Sequence, residues 1–102
     1  MSTSKADLNK ILTKLEPLGD FTARPMMGEF LLYHNSILIG GVYDNRLLIK
    51  KTDSNASYGL AEEIPYNTAK RTMYYIANFE DLNQIKNIIT NAYNDLKNKL
   101  LL

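Results

Sequence analysis

Side chains that could carry out acid–base or nucleophilic catalysis are scarce in this sequence. His34 is the single histidine and there is no cysteine, so one chain cannot assemble a Cys–His pair or a histidine-based metal site. No Gly-x-Ser-x-Gly segment marks a nucleophilic serine. His34 precedes Asn35-Ser36 at a predicted hairpin turn, where we expect its ring to be exposed to solvent. These residues give little support to catalysis.

Two acidic segments carry the other groups that could do chemistry. Glu62-Glu63 is a pair of adjacent carboxylates, but neighbouring side chains rarely converge on one substrate, so a solvated face is the better interpretation. Asp53 and Asn55 have the spacing that begins a calcium-binding loop. The last position of that loop would be Ile64, where calcium requires a bidentate glutamate. We therefore predict no metal site.

Two short basic segments, Lys50-Lys51 and Lys70-Arg71, could hold an anion if the fold brings them together. Ordinary surface charge is the alternative interpretation. The whole chain has 12 Lys+Arg and 11 Asp+Glu, a net charge of +1, whereas a nucleic-acid-binding domain usually carries a clear basic excess. Direct DNA binding is therefore not expected. It is kept as an alternative hypothesis that would use these four residues, beside a small-molecule site or a cryptic enzyme site in a cleft near Thr52–Ala69.

The apolar pattern predicts the elements that position these residues. Ser4 precedes an apolar stripe at helical spacing that ends before Pro17, which predicts a first helix over residues 4–16. A second stripe predicts a long helix that begins near residues 78–80. Residues 52–69 are irregular, with a short helix expected around 56–63. Alternating apolar runs predict five strands, over residues 22–27, 29–33, 37–43, 46–51 and 71–77.

Helices at both ends and strands in the middle predict an α+β fold, with an antiparallel sheet of about five strands flanked by the N- and C-terminal helices. The length of 102 residues predicts one domain, residues 1–102. No stretch approaches the ~20 apolar residues that cross a bilayer, and the polar N-terminus lacks the apolar centre of a signal peptide. We therefore expect a cytoplasmic protein with no membrane partner.

Three segments resemble the TfoX N-terminal domain family of competence regulators, also called Sxy. Residues 24–33, RPMMGEFLLY, are similar to its opening signature of Arg-x-Met-Phe-Gly followed by a strand that ends at Tyr. Residues 42–50, VYDNRLLIK, resemble its hairpin, and residues 73–76, MYYI, fall where the family has its next strand. Met27 replaces the usual Phe, and Leu48 the usual Tyr. The resemblance covers residues 8–100.

The resemblance implies a regulatory protein with no enzyme activity and no cofactor. The members that give the family its name promote transcription of DNA-uptake genes together with a cyclic-AMP receptor protein, so the implied partner is a protein of the transcription machinery. Those members continue into a helical C-terminal domain, and this sequence ends at Leu102. We therefore expect a stand-alone N-terminal domain.

The expected interaction surface follows the signature segment, and we expect Arg24 and Glu29 to pair across its hairpin. A homodimer is a further possibility, because an exposed edge strand can pair between two chains, and the apolar end Leu100–Leu102 could pack on a partner. The candidate interaction residues are Arg24, Met26, Met27, Gly28, Glu29 and Tyr33.

Overall fold

A computed structural model describes residues 2–100 of the chain. Short 3₁₀ segments occupy Glu16–Leu18 and Asp53–Tyr58. The helices and strands are α1 (Lys5–Leu15), β1 (Phe21–Met26), β2 (Glu29–His34), β3 (Ile37–Tyr43), β4 (Arg46–Ile49), β5 (Glu62–Glu63), β6 (Met73–Ile76) and α2 (Leu82–Leu100). The α+β prediction is confirmed. Of the apolar C-terminal end, Leu101 and Leu102 lie outside the described residues.

The first helix forms where the sequence predicts it. The Ser4 hydroxyl accepts a hydrogen bond from the backbone N–H of Asp7 at 3.1 Å and so caps the N-terminus of α1. Leu8, Ile11 and Leu15 lie on one side of the helix and are buried. Their burial, more than helix propensity, stabilises a helix of this length.

Six strands form one antiparallel sheet in the order β1-β2-β3-β4-β6-β5. Three two-residue turns connect the first four strands, at Met27-Gly28, Asn35-Ser36 and Asp44-Asn45, and both residues of each turn have positive φ. That geometry matches the right-handed twist of the paired strands. The strand prediction missed only β5, which has two residues. The short helix expected around residues 56–63 is instead the 3₁₀ segment Asp53–Tyr58.

Both helices pack on the same side of the sheet, which we call the helix face. One apolar core joins α1 and α2 to the side chains that point from the strands to this side. Strand residues of the helix face include Phe30, Leu32, Val42, Leu47, Ile49 and Ile76. The opposite side, which we call the outer face, carries the alternate residues, among them Leu31, Tyr33, Leu38, Tyr43, Leu48, Met73 and Tyr75.

The segment 64–72 covers part of the outer face. Pro65 is buried there, and the ring of Tyr66 lies 6.3 Å from the ring of Tyr43. Arg46 holds the segment in place, because its guanidinium donates hydrogen bonds to the backbone carbonyls of Ile64 at 3.2 Å and Pro65 at 3.3 Å. Leu48 is consequently fully buried although it points away from both helices.

His34 is not the exposed turn residue that the sequence suggested. It is the last residue of β2 and is only 8% exposed. Its ring stacks on Phe21 with 4.4 Å between centroids and meets the edge of Tyr93 at 5.5 Å. Its Nδ1–H donates to the Asp20 carbonyl at 3.0 Å, since a carbonyl oxygen can only accept. The prediction was wrong because the turn begins one residue later, which places His34 on the helix face beside Leu32.

Candidate functional site

The six candidate interaction residues lie together on the hairpin of β1 and β2, which we call the hairpin site: Arg24, Met26, Met27, Gly28, Glu29 and Tyr33. Met27 and Gly28 form its turn, with φ of 50° and 86°. A Cβ on Gly28 would also lie 3.3 Å from the Cβ of Ser2. Glycine at this position therefore serves the turn and the close approach of the N-terminal segment.

Glu29 joins three segments of the chain. Its carboxylate accepts a hydrogen bond from the Thr3 hydroxyl at 2.7 Å and one from the backbone N–H of Asp44 at 3.0 Å. The Thr3 hydroxyl in turn accepts from the N–H of Asn45 at 3.0 Å, and the Thr3 N–H donates to the Gly28 carbonyl at 3.1 Å. We call this network the Thr3–Glu29 clamp. Sequence reasoning missed it, because Thr3 is far from Glu29 along the chain.

Arg24 and Glu29 do not pair as expected; the structure shows no ion pair between them. The register places Arg24 opposite Leu31, and its guanidinium lies 5.5 Å from the centre of the Tyr33 ring. A cation over an exposed aromatic ring contributes about 0.5–1 kcal/mol. Glu29 is occupied by the clamp, so Arg24 remains on the surface of the outer face.

The tip of the hairpin carries Met27, which is the most exposed large apolar side chain among the described residues. Met27 is 98% exposed, while Met26, one residue before it, is half-buried. The turn fixes the backbone of Met27, and the Thr3–Glu29 clamp holds the strand that follows it. A flexible apolar side chain is thus presented on a fixed backbone.

The predicted anion-binding residues, Lys50, Lys51, Lys70 and Arg71, line one groove of about 950 Å³, which we call the basic groove. A fifth cation, Lys99 of α2, lines it as well and was not predicted. No Asp or Glu is among the described residues that line it. Its apolar wall includes Leu31, Leu38, Tyr43, Pro65, Ala69, Met73 and Leu96.

In the part of the chain that the structure describes, one of the five cations forms an ion pair. The Lys51 ammonium lies 2.6 Å from Glu62, whose carboxylate also accepts from the Thr72 hydroxyl at 2.7 Å. The hydrogen bond to Glu62 raises the pKa of Lys51, and the same bond, followed by that from Thr72, lowers the pKa of Glu62. Within residues 2–100, Lys50, Lys70, Arg71 and Lys99 form no ion pair.

The acidic segments have structural roles. Glu62 contacts Lys51, whereas Glu63 lies 2.6 Å from Arg46, so the two adjacent carboxylates point to different partners. Over residues 2–100 there is also no cluster of three His, Cys, Asp or Glu side chains that could hold a metal ion.

The 3₁₀ segment Asp53–Tyr58, where the calcium spacing lies, is fastened to α2. The fully buried Asn55 donates to the Ile88 carbonyl at 2.9 Å. The Ser54 hydroxyl donates to Asp95 at 2.7 Å, and this bond is the main reason that the pKa of Asp95 is lowered. The Oδ1 of Asn55, the atom that a calcium site would use, accepts a hydrogen bond from the Asn91 amide of α2 at 3.1 Å, so the helix occupies it.

These features define a small α+β domain, in which a six-stranded antiparallel sheet carries two helices on one face and leaves a hairpin site and a basic groove accessible. The family model described as the TfoX N-terminal domain matches residues 13–95. The chain belongs to that family, and the match extends from α1 into α2; it includes the hairpin site and the lining of the basic groove except Leu96 and Lys99. Comparison with curated proteins gives no match. None of the helices in the described part of the chain is long and apolar enough to span a bilayer.

Proposed function

We propose that this domain is a non-enzymatic regulatory module that binds a protein partner through the hairpin site. The observation that carries the proposal is Met27, an apolar side chain that is 98% exposed at the tip of a well-defined turn. Methionine adapts its shape to different partner surfaces, which suits a contact residue. Arg24 and Tyr33 extend the same surface along the outer face, and Arg and Tyr are enriched at protein interfaces.

The fixed backbone beneath Met27 supports the same proposal. The Thr3–Glu29 clamp joins the β1–β2 turn to the β3–β4 turn and to the N-terminal segment. A partner would therefore not have to order the loop on binding, which lowers the entropic cost of association. The loss of conformational freedom would be confined to contacting side chains such as Met27 and Arg24.

The non-enzymatic part of the proposal rests on how the chemistry-bearing side chains are used. His34 is stacked between aromatic rings and hydrogen-bonded to a backbone carbonyl. Glu62 and Glu63 are each bound to a cation of the same chain. Each of these groups contributes to the fold, and none of them faces another across a cleft.

The family supports a transcription regulator as the partner, and such a partner would place the function in the cytoplasm. A second copy of the chain is the less favoured partner. Pro25 lies on β1, the edge strand of the hairpin, and proline lacks the N–H that sheet extension across an edge would use. We therefore propose a different protein as the ligand of the hairpin site.

The proposal is tested by quantitative affinity purification from the native cells with three baits: the natural chain, Met27→Asp and Leu82→Asp. Leu82 is also an exposed apolar residue, 36% exposed at the start of α2, and aspartate is well tolerated in the first turn of a helix. Each variant therefore makes the same chemical change at a different place. Circular dichroism and thermal unfolding establish that both variants remain folded.

The expected result is a protein that co-purifies with the natural chain and with Leu82→Asp but is depleted with Met27→Asp, and that binds the purified natural chain directly. The proposal fails if all three baits retain the same proteins. It also fails if the natural chain retains only itself, in which case light scattering identifies the homodimer.

A further inference from the structure

We propose that the basic groove is a second binding surface, and that it takes an extended segment of a partner protein in which acidic and apolar residues alternate. The inference goes beyond the hairpin site, because no residue of that site lines the groove. The two surfaces can therefore be tested separately, and either can fail without the other.

The first support is the segregation of charge. The chain has 12 Lys and Arg residues against 11 Asp and Glu, yet the described residues that line this groove include five of those cations and none of the acids. A nearly neutral molecule thus carries a local positive field, and such a field attracts and orients a negatively charged segment. The cations come from the residue pair Lys50-Lys51 after β4, from the segment 64–72 and from α2, which are far apart in the chain.

The second support is that few of the groove's cations are neutralised by a carboxylate of the same molecule. Among the described residues, Lys51 is the one cation of the groove that is bound to a carboxylate, that of Glu62. Asp95 lies near enough to Lys99 for that ammonium to contribute to its lowered pKa, after the bonds from Ser54. Lys50, Lys70 and Arg71 are exposed and form no ion pair within residues 2–100. Their charge is available to a ligand.

The third support is the apolar wall between these cations. Leu31, Leu38 and Met73 are half-buried on the outer face, so a ligand could bury them further. A bare polyanion would gain nothing from this wall. An extended chain alternates its side chains every residue, so one side can meet the apolar wall while acidic residues on the other side meet the exposed cations.

The groove fits a peptide better than a nucleic acid. Single-stranded nucleic acids bind by stacking bases on exposed aromatic rings. Tyr43 is buried against the covering segment and lies 6.3 Å from Tyr66, so among the described residues that line the groove only Tyr66, which is 52% exposed, offers a ring. One available ring and a net charge of +1 are a weak basis for nucleic-acid binding.

The test measures fluorescence anisotropy with a labelled peptide of alternating Glu and Leu. A length of about ten residues gives ~33 Å when extended, which matches the 32 Å width of the molecule. The comparison probes are a polyglutamate of the same length and an oligothymidylate. The variants are Lys70→Glu/Arg71→Glu and the matched control Lys5→Glu/Lys86→Glu, which changes the charge equally at exposed helix positions away from the groove.

We expect the Glu–Leu peptide to bind more tightly than polyglutamate, with an affinity that falls as salt is raised. Lys70→Glu/Arg71→Glu should weaken binding by ~10-fold or more, because it places like charges against the ligand, while the matched control should change it less than about threefold. Met27→Asp should bind the peptide as the natural chain does, which separates this result from the hairpin proposal.

Four results would overturn the inference. The Glu–Leu peptide does not bind; polyglutamate binds equally well, so the apolar wall is not used; the oligothymidylate binds more tightly, so the groove serves nucleic acid; or both double variants weaken binding equally. Amide chemical shifts of the natural chain provide a test that needs no variant. On titration with the peptide they should move around residues 65–73 and 96–99, and movement confined to the hairpin site would contradict the proposal.

Discussion

The two faces of the sheet are stabilised in different ways. On the helix face, apolar side chains of both helices and four strands pack into one core. On the outer face, polar contacts hold loops in place: Arg46 fastens the segment 64–72, and the Thr3–Glu29 clamp fastens the hairpin. Burial is non-directional and sums over many contacts, whereas a clamp depends on a few atoms. The helix face therefore provides stability, and the outer face provides fixed but accessible surfaces.

The largest effect should come from the helix face. Leu47→Ala removes a side chain that is 1% exposed in the core, and should lower the free energy of unfolding by about 2–5 kcal/mol. Leu31→Ala on the half-buried outer face should cost no more than about 1 kcal/mol, because less apolar surface returns to water. Urea denaturation of both variants measures the difference. Equal losses would show that the two faces do not differ in this way.

Arg46→Ala should have the next largest effect. It removes the donors to Ile64 and Pro65 and leaves Glu63 without its cation. We expect a loss of about 1.5–3 kcal/mol together with faster amide hydrogen exchange in the segment 64–72. Arg71→Ala, at an exposed arginine without an ion pair in the described chain, is the control and should lie within about 0.5 kcal/mol of the natural chain. Unchanged exchange in Arg46→Ala would mean that Arg46 does not fasten the segment.

Glu29→Gln distinguishes a structural role from a contact role at the hairpin site. The amide keeps the shape but weakens the bonds from Thr3 and Asp44, so we expect a loss of about 1–2 kcal/mol. Thermal unfolding measures it. If stability is unchanged and partner capture is lost, Glu29 is a contact residue and not part of a clamp.

The smallest effect concerns pH. The Ser54 hydroxyl lowers the pKa of Asp95 in the folded chain, so this carboxylate contributes stability above its unfolded pKa of about 4. That contribution disappears as pH falls through the lowered folded pKa. Asp95→Asn should therefore lose less than about 1 kcal/mol near pH 7, and its stability should converge with that of the natural chain in acid. A constant difference across this pH range would contradict the assignment.

The sequence predicts local features well and distant contacts poorly. The stripe of Leu8, Ile11 and Leu15 and the Asp44-Asn45 turn are local, and the structure confirms both. The sequence identifies Lys50-Lys51 and Lys70-Arg71 as candidate anion contacts. Whether the two pairs lie in one groove depends on how the end of β4 and the segment 64–72 are placed in space. Lys99 could not be assigned to the groove, because the path of α2 is not a local property of the sequence.

Two predictions about single side chains were wrong because they depend on contacts that are distant along the chain. Turn chemistry around Asn35 suggested an exposed His34, yet β2 continues through His34, and the alternation of the strand places this side chain on the helix face with Phe30 and Leu32. The expected Arg24–Glu29 pair is absent because Glu29 bonds instead to Thr3, which lies in a segment with no pattern of its own. Polar clamps between distant segments leave no periodic signal, so the outer face was harder to predict than the helix face.

The contact between the exposed tip of the hairpin and a protein partner can be tested by cross-linking in the native cells. A photo-reactive amino acid is introduced at position 27 and compared with the same group at position 82. We expect a discrete cross-linked species from position 27, containing a protein other than this chain, and none of that species from position 82. Identical cross-links from both positions, or none from position 27 while the domain remains folded, would contradict this contact.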